Sequence, residues 1–168
     1  VSTRRQAQAR LGIFAAAVEH AGEAIAILDA DGTINYVNPQ YERQTGFSRT
    51  EVIGKAPARA RSSDETYAEI WRTVREGRIW SGVLETTRRD GAVCHEEVTV
   101  APIRDARGQV ASFIAVMHDV TERIRLEEQL AVLVAEETYA QSLFIGRDAS
   151  ARHRRSLVSD VAWVPTGD

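Results

Sequence analysis

The sequence predicts an α+β fold: a five-stranded antiparallel sheet with short helices on one face, flanked by N- and C-terminal amphipathic helices. Three observations carry this expectation. Two Asp-Gly pairs, Asp31-Gly32 and Asp90-Gly91, each join two β-type runs, and this dipeptide tolerates the positive φ of a tight hairpin. Between the two hairpins the pattern is helical, so the strands come in two groups, two before the helices and three after them. Beyond residue 120 apolar residues recur at heptad-like spacing, as in a helix that pairs with another helix.

Taken in order, residues 4–20 form an amphipathic helix, with Ala7, Leu11, Phe14 and Val18 at intervals of three or four. Ala24 to Asp29 is an apolar β-type run, and Thr33 to Val37 is its hairpin partner. Asn38 is a good N-cap and Pro39 suits the first helical position, with Gly46 closing that piece. Ser48 with Glu51 makes a capping box for a second short helix. Residues 64–77 form a longer one: Asp64 caps it, Tyr67, Ile70, Trp71 and Val74 make its apolar stripe, and Gly77 ends it. Three strands come next, Ile79 to Arg89, Ala92 to Arg104 and Gln109 to Met117, the last reading as central because it is largely apolar. In the final helix Leu126, Leu130, Leu133, Ala140 and Phe144 fall on an a/d seam that Glu137 interrupts. Such a seam either pairs with a second copy or packs back on its own sheet. The chain thus divides into a helix at 1–20, a sheet domain at 21–120, a helix at 121–146, and residues 147–168. That tail carries a basic patch (Arg147, Arg152, His153, Arg154, Arg155) read as a solvated face. It then reads as a linker into the truncated opening of a second, similar domain, because Ser159 to Val164 resembles Gly22 to Ile27.

With 168 residues, 43% hydrophobic and 27% charged, the chain has the composition of one globular domain with extensions. A net charge of -3 argues against a nucleic-acid partner. One cysteine, Cys94, excludes an internal disulfide and fits a reducing compartment. No apolar run approaches the ~18 residues of a membrane span, and the first residues lack a secretory signal. The expected location is the cytoplasm.

The segments Ala24 to Gly32, Ile34 to Pro39, Thr45-Gly-Phe47, Glu51 to Lys55, Arg88 to Gly91 and Asp119-Val-Thr-Glu122 resemble, in that order, the PAS family from about residue 13 to residue 124. The resemblance implies a sensory domain, not an enzyme in its own right. Its terminal helices would make a homodimer and couple it to a downstream effector or kinase. Within the family, Val18 to Ala21, Trp80 to Leu84 and Val98 to Pro102 resemble the flavin-binding domains of nitrogen-fixation redox regulators, which implies FAD as cofactor. On that resemblance the cofactor-binding residues are Trp71, Ile25, Ile27, Ile53, Thr86, Arg88 and Val100.

Three positions depart from the flavin pattern: Ala26 stands for a serine, Pro57 for a glutamate and Thr86 for an asparagine. A haem is not expected, because residues 64–77 contain no histidine; His20, His95, His118 and His153 lie elsewhere. Nor is a light-driven flavin–cysteine bond, because Ala56 to Arg61 holds no cysteine and Cys94 is on a strand. Phosphate-cradling glycine loops and His-Glu-x-x-His are absent, and no metal is expected. Two other readings stay open: a ligand-free dimerisation module, and a pocket for a small metabolite.

Overall fold

The structure, a computed structural model, describes residues 2–57 and 64–159, and the chain forms two units, Val1–Glu122 and Arg123–Asp168. The first begins with helix α1 (Ser2–Glu19), succeeded by β1 (Ala24–Asp29) and β2 (Ile34–Val37). Then come α2 (Pro39–Thr45), α3 (Arg49–Val52), α4 (Asp64–Arg75), β3 (Trp80–Thr87), β4 (Val93–Arg104) and β5 (Val110–Asp119). Every predicted strand and helix of the sheet domain is present in the predicted order. A long helix, α5 (Thr121–Ser159), comes after the last strand.

The sheet is antiparallel throughout, with strand order β2-β1-β5-β4-β3. The last strand therefore lies between the first and the fourth, and β5 is central as its apolar run predicted. Because side chains alternate along a strand, one face collects Ala24, Ala26 and Leu28 of β1 with Leu84, Val98, Val100, Phe113, Ala115 and Met117, all buried. Tyr41 of α2 and Ile70 and Val74 of α4 close over that face.

Asn38 explains how the helices are held there. Its side chain is fully buried, and it uses all four hydrogen-bonding positions of the amide. Oδ1 accepts from the N–H of Tyr41 (3.0 Å), capping α2, and from that of Ile25 (2.9 Å). Nδ2 donates to the carbonyls of Val18 (3.1 Å) and Glu23 (2.9 Å), tying in the end of α1. Gly46 ends α2 in the left-handed region (φ 76°), a conformation that costs glycine nothing. The expected capping box at α3 is formed, with the Ser48 N–H donating to Glu51 Oε2 at 2.8 Å.

Two sequence expectations shift. Asp64 is the first residue of α4 rather than a residue ahead of it. The helix expected over 121–146 runs on to Ser159, so residues 147–159 extend it instead of forming a linker. Residues 160–168, most of the expected opening of a second domain, lie outside the described residues. The apolar face of α1 is not covered by its own domain either, since Leu11, Ile13 and Phe14 are each 68% exposed. No described helix is long and apolar enough to cross a membrane.

Candidate functional site

Between α4 and the inner face of the sheet lies a cavity of about 100 Å³. Strands supply its floor: Ala26 and Leu28 from β1, Leu84 and Thr86 from β3, Glu96, Val98 and Val100 from β4, Ala115 and Met117 from β5. Tyr67, Ile70 and Trp71 of α4 form the opposite wall, with Ile34, Tyr41 and Pro57 at the margins. The lining is overwhelmingly apolar.

Trp71 is held from three sides. Its ring meets Phe113 edge-on (centroids 5.4 Å apart), carries the Arg75 guanidinium at 5.1 Å, and leans on Gly32. A Cβ at Gly32 would lie 2.8 Å from the indole, and its φ of +88° is in any case strained for other residues. The Tyr67 hydroxyl donates to the Pro57 carbonyl at 2.5 Å, and burial raises its pKa above the ordinary tyrosine value.

The polar groups gather on the β3–β4 side. Glu96 lies directly opposite Leu84, so Thr86, two residues along β3, is its diagonal neighbour on the same face. Glu96 is only 1% exposed, and Gln44 Nε2 donates to its Oε1 at 2.9 Å. Thr86 Oγ1 is 3.4 Å from the buried Cys94 Sγ.

Beside this edge is the join between β5 and α5. The Asp119 carboxylate binds the Arg88 guanidinium (2.6 Å) and accepts from the hydroxyl (2.6 Å) and N–H (2.9 Å) of Thr121. Burial pushes the Asp119 pKa up, but the bonds from Thr121 and Arg88 outweigh it and hold the carboxyl below its ordinary range. His95 completes the join: its N–H donates to Thr121 Oγ1, and its carbonyl accepts from the Val120 N–H, both at 2.9 Å.

Of the seven predicted site residues, Trp71, Thr86 and Val100 converge on the cavity. Ile25 and Ile27 do not, because the pleat turns them to the opposite face from Ala26 and Leu28. Ile53 stands past the end of α3 and is 38% exposed. Arg88 is turned to Asp119. Trp80 packs against the core without lining the cavity. Sequence reasoning missed Glu96, Tyr41, Tyr67 and the supporting Gln44 as site residues. The signal for Glu96 was in the strand: counting back by twos from Val100 and Val98 reaches it. Among the described residues no group of His, Cys, Asp or Glu could hold a metal.

The model of the PAS fold family matches residues 12–120. Among curated proteins, the nitrogen fixation regulatory protein of Klebsiella oxytoca is 33% identical over 122 residues, 71% of this chain and 25% of that protein. The hybrid signal transduction histidine kinase L of Dictyostelium discoideum is 26% identical over 69% of this chain and 7% of its own length. The chain therefore spans a quarter or less of these relatives. Among solved structures, an RNA-binding light-oxygen-voltage receptor superposes with a TM-score of 0.67 at 27% identity, over 77% of this chain and 38% of that one. The PAS domain of a Colwellia psychrerythraea protein gives 0.59 at 23% identity, over 67% of this chain and 98% of that one.

Proposed function

The chain belongs to the PAS family of sensory domains, and from that premise we propose that its cavity binds a flavin, specifically FAD, whose state it relays through β5 into α5. The observation that carries this reading is the distribution of chemistry in the cavity. Hydrocarbon from Ile70, Leu84, Val98, Val100 and Met117 forms the walls, and the polar side chains of Thr86 and Glu96 sit on one side. A flat ring with one polar edge is complementary to such a site. The motif resemblance to flavin-binding domains, carried by Val18 to Ala21, Trp80 to Leu84 and Val98 to Pro102, and the similarity to a light-oxygen-voltage receptor support the same reading.

Trp71 would hold the ring from α4, Val100 and Ala26 from the sheet, and Thr86 would bond its polar edge. The bound group would supply reversible redox chemistry; the chain binds it, excludes water and responds. Ala115 and Met117 line the cavity on the strand that ends at Asp119, so a change felt there has two residues to travel to the end of that strand, where α5 begins. The size of the response is limited by the difference in ligand affinity between two conformations. The exposed Leu126, Leu130 and Leu133, with Leu11 and Phe14 of α1, would pair with a second copy. The effector would be a histidine kinase or a similar output domain of the parent protein.

The cavity of about 100 Å³ is smaller than the ~300 Å³ at which small-molecule pockets begin. Ring binding therefore goes with outward movement of Trp71 and α4. That same volume favours a second reading, a smaller metabolite in the same place. The test is direct: purified protein should be yellow and bleach with dithionite. Colourless protein that also fails to take up added FAD overturns the flavin reading and leaves the smaller ligand.

A further inference from the structure

Glu96 is among the most deeply buried side chains of the sheet domain, yet it faces a cavity otherwise walled by hydrocarbon. Placing a carboxylate there is costly unless hydrogen bonds compensate it. Gln44 of α2 supplies one of those bonds. In the sheet, Glu96 stands level with Asp119 of β5 and comes directly after His95. Those two residues are themselves anchored to Thr121 and Val120 at the start of α5. A single residue thus lines the cavity, accepts a bond from the helix α2 and pairs in register with the strand position that holds the outgoing helix.

We propose that Glu96 is the ligand-reading residue of this pocket, selecting a ring that presents an N–H donor toward β4 and setting the electron affinity of that ring. This rests on the flavin reading and deepens it. A carboxylate accepts hydrogen bonds and offers none, so a ring edge bearing only carbonyl oxygens is rejected there, while an N–H edge is matched by a charge-assisted bond. Its negative charge, in a surrounding of low polarity, opposes the addition of electrons to a ring beside it. Glu96 is then a positioning and tuning residue, and Gln44 orients it.

The test compares wild type, Glu96→Gln and Glu96→Leu after loading with FAD, reading the dissociation constant from flavin fluorescence and the midpoint potential by spectroelectrochemistry. The Glu96→Gln variant keeps an acceptor for Gln44 and the shape of the side chain while removing the charge. It should bind FAD within about threefold of wild type but with a higher midpoint potential. Glu96→Leu, where circular dichroism shows it folded, should bind at least tenfold more weakly, since a hydrogen bond to a charged group is worth about 1.5 kcal/mol or more. A purely structural role for Glu96 would leave the potential of the Glu96→Gln variant unchanged, and that result overturns the inference even where wild type is fully loaded. Wild type that takes up no FAD at all overturns the flavin reading itself, and the inference with it.

Discussion

In the sheet domain Phe113, Met117 and Val98 are hidden by the chain's own strands and helices, whereas on α5 Leu126, Leu130, Leu133 and Phe144 keep more than half their surface in solvent. Both regions are rich in large apolar residues, so composition does not separate them. Spacing does. In β3, β4 and β5 alternate side chains, among them Leu84, Val98, Val100, Phe113, Ala115 and Met117, point into one closed face, which the chain covers with α2 and α4. On α5 they recur at three and four over a helix of 39 residues, and among the described residues of its own unit nothing gives such cover. The first arrangement stabilises a domain; the second, on the function proposed above, would stabilise an assembly.

The largest expected effect tests that division directly. Phe113→Ala removes a ring that is 1% exposed and packs edge-on against Trp71, and should cost about 3–5 kcal/mol in denaturant unfolding monitored by tryptophan fluorescence. Phe144→Ala, at a residue 75% exposed, should leave the same transition within about 0.5 kcal/mol of wild type. Equal losses at the two positions would show that the helix is part of the domain's core after all.

An intermediate effect concerns association. Replacing Leu130 and Leu133 together with glutamate should move the solution mass, measured by light scattering, from dimer toward monomer while the unfolding transition of the sheet domain stays in place. An unchanged mass would remove α5 from the interface and leave α1 to carry it.

The same contrast explains what the sequence disclosed. Hairpins at Asp-Gly, the caps at Asn38 and Ser48 and the alternation of the strands are local signals, and each is present where the sequence implied it. The pocket is not local. Its walls come from four strands and a helix, and which face of β1 they share depends on the register of Ala26 against Ala115. A family resemblance marked Ile25 and Ile27, but the pleat assigns the inner face to Ala26 and Leu28. Glu96 is readable by the same alternation rule, although a charge beside another, Glu97, carries the local look of a solvated strand. The end of α5 was missed for a different reason: the likeness of Ser159 to Val164 to Gly22 to Ile27 suggested a linker into a second domain, yet the arginines before it are good helix formers.

The smallest effect belongs to the join between the sheet and the outgoing helix. Asp119 is buried enough to lose some hydration, but Thr121 and Arg88 hold its carboxyl below the ordinary value of 3.8. A folded-state value below the unfolded one means that the stabilisation is present above pH ~4 and is lost as pH falls through the folded value. Arg88 is 38% exposed and Asp119 25%, so solvent screens the pair and its worth is about 1 kcal/mol or less. Asp119→Asn, which still accepts from Thr121, should therefore lower stability by about that amount at pH 7 and by progressively less toward pH 3. Unfolding curves collected across that range would show the two proteins converging at the acid end. Parallel curves would mean that the charge of Asp119 contributes nothing, and that the hydrogen bonds of Thr121 and Val120 fasten the outgoing helix to the sheet without it.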